Sequence, residues 1–309
     1  MKVSFGMIVV DGMPFIKHQL RLVYPHAHEI IICEGGDDTW EGRLGYRHSQ
    51  DGTVDFIQSF PDPYKKITLI QAAWKDKNHM CHEYSRRVSG EIIWHVDVDE
   101  FVDPVHFPYL TSLFESTDEY DAIAIPQMVF WGDTETIIGA QFGPGPEWSW
   151  EWPGVDRIYR TRPGTCIHHI PERGYYDPIQ EEVTPVRHFP DELLLEKGIY
   201  TYHFSYVLPK SVEAKMKYYD ERVQNCIDDD WYRNVFMKFG EKREHWIDSH
   251  FDVQPVNRDT KENYPWRIKP LHRPLPGCLK ELEEDISREL ESWTSTSPNR
   301  GRCRAGRSS

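Results

Sequence analysis

The amino-terminal segment contains two short apolar runs separated by a stretch of helical periodicity, and this pattern constrains the fold most strongly. The runs are Val3 to Val10 and Glu29 to Cys33, and Phe15 to Val23 between them has apolar residues near helical spacing. Continuous apolar runs, rather than alternating ones, are typical of strands buried on both faces of a parallel sheet. The segment therefore predicts a strand–helix–strand unit of an α/β protein.

Residues 34–105 extend this layer. Val54 to Ile57 predicts a third strand, Asp76 a helix N-cap, and Gly90 the end of that helix. Glu91 to Val96 predicts a further apolar strand. Because ligands of open parallel sheets gather at the carboxyl ends of the strands, residues 1–105 are predicted to form a nucleotide-binding half.

The second half of the chain is predicted to add a mixed smaller sheet. The predicted class is therefore α/β, with a Rossmann-like, mostly parallel sheet flanked by helices. Residues 1–293 are predicted to form a single domain, with 106–293 as its second half. Lys280 to Trp293 has an amphipathic helical pattern, and the Ser, Arg and Gly composition of residues 294–309 predicts a disordered tail.

The charge balance limits the partners. With 36 basic and 50 acidic side chains the net charge is −14, which argues against general binding to nucleic acid or anionic membranes. The exception is Pro298 to Ser309, which has four arginines and no acid.

Targeting features and cysteine usage predict a cytoplasmic protein. Asp11 interrupts the first apolar run, no small-residue cleavage site follows it, and no run approaches the ~18 apolar residues of a membrane-spanning helix. We therefore expect no transmembrane segment. The six cysteines include no C-x-x-C pair, so free thiols in a reducing compartment are the simplest interpretation.

Three acids in four positions, Asp97, Asp99 and Glu100, follow directly after the predicted strand at Glu91 to Val96. In an extended chain Asp97 and Asp99 point to the same side, and two carboxylates there suit a hard divalent cation that also binds substrate phosphates. A solvated acidic turn is the simpler alternative. Phe101 and Val102 exclude an EF-hand loop. A phosphatase of the haloacid-dehalogenase type stays open as a further alternative.

Three segments together resemble the family 2-type glycosyltransferases, which have the GT-A fold. They are the start MIVVDGMPFIKHQL…EIIICEGG, the Lys77–Asn78 helix leading into IIWHVDVDEF, and YTYHFSYVLPKSVEAKMKYYDER. The resemblance covers residues 1–105 well and 198–222 moderately. It implies a metal-dependent transfer of a sugar from a nucleotide-diphospho-sugar to a glycan or other hydroxyl acceptor.

The resemblance also implies roles for single residues. Asp99 corresponds to the acid that ligates Mn²⁺ or Mg²⁺. Asp97 corresponds to the acid that contacts the ribose or donor sugar, and it is predicted as a second metal ligand. His203 corresponds to a late histidine that completes the metal site, and His188 is its weaker rival. The metal would act as a Lewis acid on the leaving diphosphate.

Nucleotide contacts are implied at the ends of the first two strands. Val10 and Asp11 should line the base pocket, and Lys77 should reach the nucleotide or its phosphates. Glu34 stands where the family commonly has an Asp facing the base, and this departure leaves the choice of nucleotide open.

An inverting transfer needs a carboxylate base for the acceptor hydroxyl. Glu181, Glu182 and Asp191 lie in the stretch where the family has this base, and the Glu181–Glu182 pair is the prediction; a charged loop is the alternative. A wall of aromatic rings for an acceptor sugar is a further possibility, formed by Trp131, Trp148, Trp150 and Trp152.

The sequence therefore predicts a metal-dependent, inverting glycosyltransferase. Two alternatives from other classes stay open: a non-catalytic sugar-binding protein on a GT-A scaffold, and a metal-dependent phosphohydrolase.

Overall fold

The computed structural model describes residues 1–140, 149–168, 174–219, 229–254 and 266–296. The chain forms two compact units, and each is built from two segments. The first unit contains Met1–Gln127 and Pro153–Thr201. The second contains Met128–Trp152 and Tyr202–Ser309, so far as these residues are described.

The strands of the described chain, in order, are β1 Val3–Val9, β2 Glu29–Glu34, β3 Ile67–Gln71, β4 Ile92–Asp97, β5 Glu100–Val102, β6 Ala122–Trp131, β7 Thr136–Ala140, β8 Trp152–Arg160, β9 Cys166–His168, β10 Gly174–Asp177, β11 Glu182–Thr184, β12 His188–Phe189, β13 Thr201–Tyr206 and β14 Trp266–Pro270.

The α-helices of the same residues are α1 Phe15–Val23, α2 Asp38–Leu44, α3 Thr53–Ser59, α4 Lys77–Ser85, α5 Phe107–Ser116, α6 Glu192–Glu196, α7 Pro209–Tyr219, α8 Asp229–Asn234, α9 Phe239–Ser249 and α10 Lys280–Thr296. Short 3₁₀ turns lie at Pro104–His106, Phe236–Lys238 and Gly277–Leu279.

The sheet of the first unit confirms the predicted α/β class. Its strands β3, β2, β1 and β4 are adjacent in that order and parallel, and β8 joins β4 antiparallel. Ile8 of β1 lies beside Cys33 of β2 and Asp97 of β4. The carboxyl ends of these three strands therefore meet at one edge.

Helices cover both faces of this sheet because its central strand is apolar on both sides. Phe5 and Met7 of β1 pack in one buried cluster with Leu20 of α1. Ile8 packs in a second cluster with Tyr84 of α4. The continuous apolar run that predicted a strand buried on both faces is thus confirmed.

The predicted strand at Val54 to Ile57 is wrong, because these residues belong to α3. A run of four residues cannot distinguish a buried strand from a short helix by periodicity alone. Thr53 and Ile57, one helical turn apart, are the buried residues of α3. The third parallel strand is β3, Ile67–Gln71, which follows this helix.

The helix predicted at Asp76 is confirmed, since the Asp76 carboxylate accepts from the His79 backbone N–H at 2.8 Å and caps α4. Its predicted end at Gly90 is wrong. The helix ends at Ser85, and Gly90 instead packs against β1, where an added Cβ would lie 2.5 Å from Ser4 Oγ. Glycine is needed there for close approach rather than for a helix cap.

The predicted smaller sheet is present within the first unit. It consists of β9, β10 and β11 and is antiparallel throughout its described residues. In the second unit, β14 and β7 are antiparallel neighbours, and the last part of β6 pairs with β7.

The predicted amphipathic helix near the carboxyl terminus is confirmed as α10, with Leu282 and Ile286 buried. Of the predicted disordered tail, residues 294–296 form the end of α10, whereas residues 297–309 lie outside the described residues. Among the residues described, no helix combines the length and apolar composition that crossing a membrane requires. Cys33, Cys81, Cys166 and Cys278 are free thiols.

A histidine pair joins the smaller sheet to α4. His82 of α4 lies with its Nε2 3.2 Å from Nδ1 of His168 on β9, and its ring stacks on Tyr176 of β10 at 4.3 Å. Burial, together with His168 and Arg86, lowers the pKa of His82 to about 4.

This histidine predicts a loss of stability in mild acid. Because the pKa of His82 is lower in the folded state than in the unfolded chain, the unfolded chain binds more protons between these pKa values. The free energy of unfolding should be highest above pH 6.5 and fall as the pH decreases toward 4. Urea unfolding at pH 7 and pH 5 should show a smaller difference for His82→Gln than for wild type. An equal difference in both proteins would contradict this assignment.

Candidate functional site

The acids that follow β4 form a turn at the carboxyl edge of the parallel strands. Asp97 is the last residue of β4, and Glu100 is the first residue of β5. Asp97 and Asp99 are half-buried, whereas Glu100 is buried. The strand pairing therefore places the predicted acid triplet at the edge where ligands of such sheets bind.

A buried arginine from β8 holds two of these acids. Arg157 Nη2 donates to Asp97 Oδ2 at 2.8 Å and to Glu100 Oε1 at 2.6 Å, and Arg157 Nε donates to Glu100 Oε2 at 2.6 Å. Gln127 Nε2 adds a donor to Glu100 Oε1 at 2.8 Å. The bidentate geometry fixes the carboxylate plane of Glu100 and ties Asp97 to the same cation.

The electrostatic balance of this group keeps Arg157 charged. Burial alone would lower the pKa of Arg157, but the charges of Glu100 and Asp97 outweigh burial and raise it. One guanidinium therefore pairs with both carboxylates.

His95 extends the group inside the sheet. Its Nδ1 lies 2.6 Å from the Tyr84 hydroxyl, and its Nε2 lies 3.3 Å from Asp97 Oδ1. Burial raises the pKa of Tyr84, so this phenol stays neutral. Arg157 therefore holds one oxygen of Asp97 by a hydrogen bond, and His95 lies beside the other oxygen.

The turn fits a divalent cation only when the ligand supplies part of the coordination shell. No group of three or more His, Cys, Asp or Glu side chains suited to a metal ion occurs in the part of the chain that the structure describes. A hard cation such as Mg²⁺ commonly takes one or two carboxylates, with substrate phosphates and water as its other ligands. Asp99, in the turn beyond Asp97, has the oxygen donors for that arrangement.

Asp11 and Glu34, at the ends of β1 and β2, contact one segment, residues 46–51. Asp11 accepts from the Gln50 backbone N–H at 2.7 Å and from the Tyr46 hydroxyl. Asp11 itself has a left-handed backbone, with φ 51°. Val10 is half-buried beside it.

Glu34 is completely buried under the same segment. Its Oε1 accepts from the Ser49 backbone N–H at 2.7 Å and from Ser49 Oγ at 2.8 Å. Its Oε2 accepts from Gln71 Nε2 at 3.0 Å and lies 2.9 Å from His48 Nδ1. Burial acts to raise the pKa of Glu34, but these donors together lower it.

Lys77 is the first residue of α4 and is half-buried. Burial is the main cause that raises the pKa of the Cys81 thiol, to about 12; the charge of Asp97 raises it further, and the charge of Lys77 lowers it. Both charges therefore act on the same buried thiol between α4 and the sheet. The role of Lys77 at a phosphate stays a prediction.

The other predicted site residues belong to later segments of the chain. Glu181, in the turn between β10 and β11, and Glu182, the first residue of β11, are both exposed. Asp191 accepts from the Gly154 backbone N–H at 3.3 Å. His188 Nδ1 lies 3.0 Å from Asp156. His203 is half-buried on β13, in the second unit. Their predicted roles stay predictions.

The predicted aromatic wall cannot include Trp131. Trp131 is wholly buried in the core of the second unit, so it has no exposed face for a sugar. Trp150 and Trp152 are half-buried, and Trp148 lies outside the described residues. The ring of Trp150 packs over Gly139 and under Lys269 Nζ, which lies 4.2 Å from the ring centroid.

Sequence analysis did not identify Arg157, His48 or Ser49. An arginine within the largely apolar stretch Val155 to Tyr159 was a signal for a buried ion pair, because a buried charge needs a partner. His48 and Ser49 lie in a polar loop that gives no such signal.

Comparison with known proteins gives partial structural likenesses only. No model of a protein family matches the chain, and no curated protein matches it. The chain is similar to glucosyl-3-phosphoglycerate synthase from Mycobacterium tuberculosis, solved with Mn²⁺, UDP and glucosyl-3-phosphoglycerate. The identity is 14% over 42% of this chain and 44% of that chain, with a TM-score of 0.31.

The chain is also similar to a mannosyltransferase from Pyrobaculum calidifontis, solved with GDP-Man and Mn²⁺. The identity is 16% over 41% of this chain and 35% of that chain, with a TM-score of 0.33. The chain thus spans less than half the length of either protein. Both similarities are to solved glycosyltransferases and extend over less than half of each chain.

Proposed function

We propose that this protein transfers a sugar from a nucleotide-diphospho-sugar to a hydroxyl acceptor, with a divalent cation bound at Asp99. One observation supports this most strongly: the Asp97–Glu100 turn lies at the carboxyl edge of a parallel sheet, with Asp97 held by Arg157 at 2.8 Å. A catalytic turn needs such a fixed geometry, whereas a solvated acidic turn does not.

Each acid of the turn would then have a separate role. Asp99 would hold Mn²⁺ or Mg²⁺, which supplies Lewis-acid stabilisation of the leaving diphosphate. Asp97, already paired with Arg157, would accept hydrogen bonds from the ribose or donor sugar. Glu100 serves to fix Arg157, because both of its oxygens are engaged by that side chain.

Activation of the acceptor requires a base, and we assign it to Glu181 or Glu182. Both side chains are exposed, so they would be accessible to a hydroxyl acceptor. The acceptor oxygen, whose proton would pass to either carboxylate, would attack the sugar carbon from the face opposite the diphosphate. The bond to the diphosphate would break as the new bond forms, and the transfer would be inverting. Sugar transfer by Glu181→Gln and by Glu182→Gln shows which of the two carboxylates is the base, because only loss of the base should abolish it.

Turnover of donor sugars tests the proposal. Purified protein is incubated with UDP- and GDP-sugars and Mn²⁺, with and without a panel of sugar acceptors, and released nucleoside diphosphate is measured. We expect release from at least one donor, and EDTA should abolish it.

Two other outcomes would contradict the proposal. Phosphate release from simple phosphomonoesters without donor turnover would indicate the phosphohydrolase. Glycan binding that needs neither metal nor Asp99, again without turnover, would indicate a non-catalytic sugar-binding protein.

A further inference from the structure

The carboxylate at the end of β2 orients a histidine that the sequence did not single out. Glu34 has no exposed side-chain surface, and its Oε2 lies 2.9 Å from His48 Nδ1. An ionised carboxylate only accepts hydrogen bonds, so Nδ1 of a neutral His48 must be the protonated nitrogen. The other ring nitrogen, Nε2, is then an acceptor.

His48 differs from its carboxylate partner in exposure. The side chain of His48 is 46% exposed, whereas that of Glu34 is 0% exposed. Glu34 also accepts hydrogen bonds from Ser49 and Gln71, so its oxygens are already engaged by protein donors. A ligand at this strand end would meet the imidazole and not the carboxylate.

The segment that contains His48 lies over the ends of two parallel strands. Ser49 Oγ accepts from the Asp11 backbone N–H at 2.9 Å and donates to Glu34, and thereby bridges the second residue after β1 and the last residue of β2. Asp51 accepts from the Met13 backbone N–H at 2.8 Å. The segment is thus anchored at the edge where ligands of open parallel sheets bind.

We propose that His48, held by Glu34, contacts the nucleobase of the donor and selects its identity. This inference rests on the proposed function, because it assumes that a nucleotide binds at this edge. The imidazole of His48 then contacts the base in place of the carboxylate at the end of β2. Glu34 is the positioning residue, because it holds His48.

The tautomer predicts which bases are favoured. Nε2 as an acceptor matches the ring N–H of uracil, thymine and guanine. Cytosine and adenine have an unprotonated ring nitrogen at the corresponding position, so two acceptors would face each other. A site that presents one hydrogen-bonding group discriminates strongly against a ligand that leaves this group unpaired.

Isothermal titration calorimetry of UDP, GDP, CDP and ADP, each with Mn²⁺, tests the inference. Wild type should bind UDP or GDP more tightly than CDP and ADP. His48→Ala should weaken binding of the preferred nucleotide by about fivefold and reduce the preference by the same factor. His28→Ala is the matched control, because His28 is an exposed histidine at the opposite, amino end of β2. It should leave all four affinities unchanged.

The outcomes distinguish failure of the His48 inference from failure of the proposed function. An unchanged base preference in His48→Ala would overturn this inference and leave the proposed function standing, as would equal affinity of wild type for all four nucleotides. If wild type bound none of them, both would fail. His48→Gln, which retains a polar contact to Glu34, replaces His48→Ala if circular dichroism shows that the alanine variant is unfolded.

Discussion

Replacing Asp99 by alanine should reduce donor turnover by about a thousandfold, because the cation that neutralises the leaving diphosphate loses its protein ligand. The melting temperature should change by only a few degrees, since Asp99 is half-buried in a turn and the Arg157 ion pairs involve Asp97 and Glu100 instead. Turnover assays and thermal unfolding on the same preparation measure both effects.

Asp103→Ala is the matched control for this change. Asp103 lies four positions later, and it accepts from the Val105 backbone N–H at 3.1 Å to cap a 3₁₀ turn. Its loss should cost about 1 kcal/mol of stability and leave turnover near the wild-type value. A large loss of stability in Asp99→Ala would mean that the acid serves the fold, and unchanged turnover would remove it from the site.

Replacing Arg157 by methionine should lower the free energy of unfolding by about 3–5 kcal/mol, the range for breaking a buried ion pair from one side. The reason is that Glu100 would remain buried with only Gln127 as a side-chain donor among the contacts described above. Arg157→Lys keeps the charge but not the bidentate geometry, so its loss should be intermediate. Urea unfolding of wild type and both variants measures whether the free energy of unfolding falls in the order wild type, Arg157→Lys, Arg157→Met.

A double-mutant cycle tests the interaction between Arg157 and its partner Glu100. Glu100→Gln neutralises the buried carboxylate, and in the Arg157→Met background it should restore part of the lost stability. Additive losses, or a loss below about 1 kcal/mol for Arg157→Met alone, would show that the ion pairs do not stabilise the turn.

The parallel layer could be predicted because its strands are apolar on both faces. β1, β2 and β4 are read directly from runs of apolar residues, and the βαβ order then fixes which strand ends share an edge. The third strand could not be predicted this way, because Ile67–Gln71 is only partly buried, with Thr68 and Gln71 exposed. The apolar residues before it, Val54 to Ile57, form helix α3 instead.

The acids of the candidate site were found from their spacing after β4, but their partner was not. Arg157 is 57 residues from Glu100 in the chain, and it reaches the turn only because β8 lies antiparallel to β4 with Ile158 opposite Trp94. An arginine in the sequence of β8 signals a buried ion pair, but nothing local in the sequence identifies which distant acids are its partners. The same holds for Ser49, which bridges the ends of β1 and β2 from a polar loop.

The effect of Mn²⁺ on nucleotide affinity in wild type and in Asp99→Ala tests the central claim most directly. Titration calorimetry with UDP and GDP, in EDTA and then in Mn²⁺, gives the ratio of affinities for each protein. We expect Mn²⁺ to strengthen binding of at least one nucleotide to wild type by tenfold or more, since about 1.4 kcal/mol of metal–phosphate contact suffices. This ratio should fall to about one in Asp99→Ala. An equal ratio in both proteins, or no nucleotide binding by wild type, would contradict a metal-dependent nucleotide-sugar site at the Asp97–Glu100 turn.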